Sequence, residues 1–131
     1  TRKVETYDVT TNAVMKNKQG DVDVIQMQKT NGTITVKNIS TKKIKIVGVT
    51  TYNNTEGKYL PSISYNGTTK SFSNTEASAI FGAKVDTGHV NGSNKIYSFI
   101  VELEFATTTA GDLQIKCGSG GAFYMTEVIF Y

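Results

Sequence analysis

Apolar and polar residues alternate with a period of two along most of this chain, the mark of half-buried β-strands. Val22 and Val24, with Gln26, alternate with Asp21, Asp23 and Ile25 in an early strand. Ile34 and Val36 share one face of the segment 33–37, which follows Asn31-Gly32, a pair that signals a hairpin turn. In the next run Ile44 and Ile46 point opposite to Lys43 and Lys45. A polar loop spans 52–59, and Asn66-Gly67 predicts a second hairpin between Ile63-Ser64-Tyr65 and the segment 68–72. Tyr97, Phe99, Val101, Leu103 and Phe105 share one face of the strongest strand, with Glu102 and Glu104 on the other. Ala110-Gly111-Asp112 then predicts a turn into 113–117, and Gly118-Ser119-Gly120-Gly121 a turn into 123–131. Both faces of that last strand are apolar or aromatic, so it should be central or covered. One helical segment is expected over 73–81, capped by Ser73 or Asn74 with Glu76 closing a capping box, too short to matter to the fold.

Eight to ten short strands with regular turn signals predict an all-β chain. The expected architecture is a two-sheet antiparallel β-sandwich, jelly-roll-like, with a closed barrel as the alternative. The 131 residues read as a single domain, with no repeat and no linker. Composition agrees: Thr, Asn, Ser and Gly supply 50 residues, which suits strands and turns rather than helices.

Composition also narrows the chemistry. One Cys and one His leave no disulfide framework, no cysteine zinc site and no multi-histidine centre. No apolar run is long enough to span a membrane as a helix, and no signal peptide is expected within this stretch. The net charge of +3 comes almost wholly from 13 lysines, because Arg2 is the sole arginine. Nucleic-acid sites favour the bidentate arginine fork, so a nucleic-acid partner is not expected. Lysine point charges suffice for carboxylates displayed on a sugar.

Catalytic constellations are weak. His89 sits in a Gly/Asn-rich stretch, 86–92, and reads as a solvated loop histidine; no Gly-x-Ser-x-Gly elbow accompanies it. Cys117 falls in register with Leu113 and Ile115 and reads as a buried thiol. Asp21/Asp23 and Glu102/Glu104 are same-face pairs that read as solvent-facing charges rather than glycosidase carboxylates. The aspartates also leave a structural Ca²⁺ open, and no other cofactor is expected. Gly118–Gly121 reads as a hairpin loop rather than a phosphate cradle. Five Asn-x-Ser/Thr sequons, at Asn31, Asn38, Asn53, Asn66 and Asn91, largely follow from turns rich in Asn, Gly and Thr.

The lysines remain. Lys37, Lys43 and Lys45 face away from Ile34, Ile44 and Ile46, Lys58 precedes Tyr59 in a loop, and Lys116 alternates with Ile115 and Cys117. If Lys43, Lys58 and Lys116 converge, they form a shallow cationic surface suited to an extended polyanion. Otherwise they decorate exposed faces and blunt sheet edges.

The segment Gly111-Asp112-Leu113-Gln114-Ile115-Lys116-Cys117, continued by Gly118-Ser119-Gly120-Gly121 and 122–131, resembles the closing hairpin of β-sandwich modules appended to bacterial polysaccharide lyases. Ile80-Phe81-Gly82-Ala83-Lys84 and the strand 97–105 fit the same pattern, so the match covers roughly 45–50 residues, all in the C-terminal half. Within that group the chain resembles the pectin-binding, lysine-dependent carbohydrate-binding modules that lack tryptophan. The resemblance implies a non-catalytic, secreted module that tethers a larger enzyme to homogalacturonan. It assigns uronate contacts to Lys43, Lys58 and Lys116, with Lys45 sharing the face of Lys43 and Tyr59 beside Lys58. Tyr52 and Tyr65 are further candidates for sugar stacking. A structural or adhesive surface domain without sugar affinity is the first alternative, and a small polysaccharide hydrolase or lyase the second.

Overall fold

The computed structural model describes residues 7–52 and 54–131. Arg2 and the sequon at Asn53 lie outside the described residues. Among the described residues nine antiparallel strands carry the fold: β1 (Asp8–Asn12), β2 (Val14–Gln19), β3 (Val22–Met27), β4 (Thr33–Thr50), β5 (Ser62–Tyr65), β6 (Thr68–Lys70), β7 (Val85–Asn91), β8 (Asn94–Lys116) and β9 (Phe123–Phe130). The chain is all-β, as its period-two pattern requires.

The nine strands form one hydrogen-bonded sheet folded into the two layers of a sandwich, and two of them run through both layers. The first part of β4 pairs with β1 and with the last part of β8, which also pairs with β5. The second part of β4 lies between β9 and the first part of β8, and β8 there also pairs with β7. One layer is therefore β1-β4-β8-β5-β6 and the other β2-β3-β9-β4-β8-β7. β9 is central, between β3 and β4, as its two apolar faces imply.

The ladder changes register between Val36 and Ile39 and again between Thr41 and Lys43, where the strands pass from one layer to the other. Asn38 takes φ 56° in this kink, and its N–H donates to Asp112 Oδ1 at 2.9 Å. Between the two shifts Ile39, Ser40 and Thr41 still pair with Gly111, Ala110 and Thr109, where the sequence suggested breaks. The bulges absorb the change of direction that a turn would otherwise make.

Asn66 (φ 49°) and Gly67 (φ 81°) form the two-residue turn that joins β5 to β6, with Tyr65 opposite Thr68. The other two expected hairpins are not hairpins. Residues 28–32 carry the chain from β3 to β4, and β3 pairs with β2 and β9 instead. Gly118–Gly121 likewise crosses between layers, because β8 and β9 pair with β4 rather than with each other there. Glycine-rich composition marks a reversal but does not say whether its two arms meet.

Both layers feed one core. Ile34, Val36, Ile63, Leu113 and Ile115 come from the first layer, and Ile44, Ile46, Phe99, Val101, Phe123 and Met125 from the second. The helix α1 (Asn74–Gly82) matters more than its length suggested. Ser73 and Glu76 form the capping box reciprocally, and Ala77 and Phe81 enter the core. The Phe81 and Phe99 ring centroids are 4.8 Å apart, and those of Phe99 and Phe123 6.0 Å apart. Gly48 lies against this stack; a Cβ there would be 2.5 Å from Phe99 Cζ, so the rings close only over a glycine.

Val24, Val49 and Ile96 form a smaller cluster on the opposite face of the second layer, joined by Val22 and Tyr124. The layer curls round it until its ends meet. Gly20 approaches the Val90 carbonyl, Asp21 Oδ1 lies 3.0 Å from His89 Nδ1, and Asn91 Nδ2 donates to Gln19 Oε1 at 3.0 Å.

Candidate saccharide-binding site

The predicted lysines divide between the two layers. Lys43 lies opposite Glu104 and Lys45 opposite Glu102 on the second layer. Lys43 Nζ is 3.4 Å from Glu102 Oε1 and 5.4 Å from the Tyr131 ring centroid. Alternating charges across neighbouring strands neutralise this face. They also account for Glu102 and Glu104, which stand opposite lysines on the neighbouring strand rather than opposite each other across a cleft.

Lys58 and Lys116 come together. Lys116 ends β8, between Thr33 of β4 and Ser62 of β5. Lys58 stands on a 3₁₀ turn, Gly57–Tyr59, held against the Gly118–Gly121 crossover by a 2.9 Å bond from Gly120 N–H to the Lys58 carbonyl. Both side chains line a groove of about 380 Å³ with Ser62, Ser71 and Ser119. Lys58 Nζ is 3.4 Å from Glu56 Oε2 and 5.4 Å from the Tyr59 ring centroid. Lys116 is exposed and makes no ion pair among the described residues.

Close approach builds this corner. A Cβ on Gly118 would lie 2.3 Å from the Lys58 carbonyl oxygen, and one on Gly120 2.6 Å from the Tyr59 ring. The glycines that composition marks as a loop therefore let the crossover pack onto the turn bearing Lys58 and Tyr59. On its other side Tyr59 borders a second cavity of about 460 Å³, where β4 ends and β8 and β9 begin. Tyr52, Asn54, Asn91, Asn94, Gln19 and Tyr124 line this cavity with Tyr59.

Tyr65 is not a sugar-facing residue. It is 1% exposed, and its hydroxyl donates to the Ile39 and Thr109 carbonyls at the kink between layers. Burial pushes its phenol up, opposed by a hydrogen bond with the Thr41 backbone and reinforced by the charge of Asp112. Cys117 is buried, and desolvation raises its thiol as well. His89 belongs to β7 rather than to a loop and pairs with Asp21, while Asp23 pairs with Lys18 at 2.9 Å. The two aspartates thus go to separate partners, and no group of three or more His, Cys, Asp or Glu is assembled among the described residues.

The cavity beside Tyr59 draws on Gln19, Asn94 and Tyr124, which the strand pattern left unmarked. Their only common signal is amide or phenol chemistry at strand ends, and those ends meet only once the layer curls.

No protein-family model matches the sequence, and no curated protein matches it. Among solved structures, the chain is similar to an exo-beta-1,3-galactanase from Phanerochaete chrysosporium, crystallised with galactose, at a TM-score of 0.46 and 12% identity. The similarity covers 98% of this chain and 30% of that one, so the chain spans less than a third of that protein's length.

Proposed function

We propose that the chain is a non-catalytic carbohydrate-binding module that attaches a larger, secreted enzyme to anionic plant cell-wall polysaccharide, with homogalacturonan as the target. The observation that carries this reading is the shared groove of Lys58 and Lys116, bordered by three serine hydroxyls. The resemblance of the segment 111–131 to lyase-appended modules supports it. Each ammonium would make a charge-assisted hydrogen bond to a galacturonate carboxylate, and the serines would take sugar hydroxyls. Because both lysines stay in contact with solvent, each contact is weak, so affinity is micromolar or poorer and falls with salt. Lys43 and Lys45 are secondary in this reading, since they lie on the second layer and not in the groove that Lys58 and Lys116 share.

Affinity gel electrophoresis tests the proposal with low-ester homogalacturonan, highly esterified pectin and neutral xylan at low and high salt. The expected result is retardation by the low-ester polymer alone, lost in salt and in Lys58→Ala or Lys116→Ala, and kept in Lys45→Ala. Retardation that survives both groove substitutions would overturn the lysine mechanism. No retardation by any polymer would move the structural or adhesive reading to first place.

A further inference from the structure

The cavity beside Tyr59 differs from the lysine groove in its chemistry. None of the described residues that line it carries a formal charge. Its volume of about 460 Å³ falls within the roughly 300–1,000 Å³ of small-molecule sites, large enough for a short saccharide. Tyr52 stands at its border with 72% exposure, far more than a packing role demands of an aromatic ring. Asn54 and Asn94 make no side-chain hydrogen bond among the described residues. The bond from Asn91 to Gln19 fixes both amides and leaves an acceptor on Asn91 and a donor on Gln19.

Paired donors and acceptors beside a planar aromatic face match a pyranose ring, with hydroxyls round its rim and C–H groups on its faces. A carboxylated sugar would find no cation among the described residues that line it. We infer that this cavity is a second saccharide subsite, which takes an uncharged sugar segment of the glycan and lies next to the lysine groove across Tyr59 and Gly120. The inference rests on the saccharide-binding reading above but not on its lysine mechanism. It extends that reading from carboxylates to the neutral sugars carried on the same wall polymer.

The test is ¹H–¹⁵N NMR titration with neutral galacto-, arabino- and xylo-oligosaccharides, and separately with a de-esterified oligogalacturonide. At least one neutral oligosaccharide should shift the amides of Tyr52, Asn54 and Asn94. Tyr52→Ala should weaken that binding about fivefold or more while leaving oligogalacturonide affinity unchanged. Lys116→Ala should do the reverse. Tyr52 is exposed, so its variant should keep the wild-type spectrum elsewhere. If no neutral oligosaccharide shifts these amides, or if Tyr52→Ala binds as the wild type does, the inference is overturned. Retained oligogalacturonide binding would then show that the lysine reading survives its failure.

Discussion

Tyr65→Phe removes one oxygen from the point where the two layers join. The ring stays beside Phe105, at a centroid distance of 5.2 Å, and no cavity opens. What is lost is the hydroxyl that the Ile39 and Thr109 carbonyls share. A buried hydrogen bond contributes about 1 kcal/mol, and a carbonyl left without its donor adds a desolvation penalty, for a total of about 2 kcal/mol. In a domain of this size that lowers Tm by about 6–10 °C. Urea unfolding followed by far-UV circular dichroism should show a lower midpoint at unchanged slope. There is also an alkaline signature. Burial raises the phenol above its ordinary value near 10, so the folded chain holds this proton where the unfolded chain releases it. The stabilisation is complete below that ordinary value and is lost as pH rises through the higher folded value. Tyr65→Phe should therefore flatten the alkaline limb of the stability curve. A cost below about 0.5 kcal/mol would refute the view that this hydroxyl secures the kink.

Two further outcomes follow from local chemistry. Glu76 is held below the usual carboxylate range, first by the hydrogen bond from Lys70 at 2.6 Å and then by the Ser73 N–H. Its contribution to helix α1 is present above the ordinary carboxylate value and disappears as pH falls through the lowered folded value. Glu76→Ala should weaken the acid dependence of unfolding, and an unchanged acid limb would contradict the assignment. Burial raises the Cys117 thiol, so iodoacetamide should modify it only after denaturant unfolds the chain. Rapid labelling of the native protein would contradict that burial.

Where one strand face packs on the core, the pattern was readable residue by residue. Ile44, Ile46, Phe99 and Val101 are buried where alternation placed them. The Asn66-Gly67 hairpin and the Ser73–Glu76 box were equally local, since each depends on residues within three or four positions. The two through-running strands were not readable. Polar stretches near Asn38 and Gly111 look like breaks, and only the ladder across β4 and β8 shows that the same two strands pair again beyond the bulge, from Ile39 opposite Gly111. The site behaved likewise. The faces of Lys43, Lys45 and Lys116 followed from alternation, but their partners did not. Lys43 and Lys45 meet Glu102 and Glu104 across a strand, while Lys116 meets Lys58 across a crossover. Such pairings are set by register and layer packing, which hydrophobic period alone leaves open.

The most direct test of the central claim is a ¹H–¹⁵N titration of the wild-type chain with de-esterified oligogalacturonide, repeated with its methyl-esterified counterpart. Salt-sensitive shifts centred on Gly57, Lys58, Ser62, Lys116 and Ser119 are expected with the de-esterified ligand, and none there with the esterified one. Shifts centred on Lys43 and Lys45, or equal responses to both ligands, would contradict the claim.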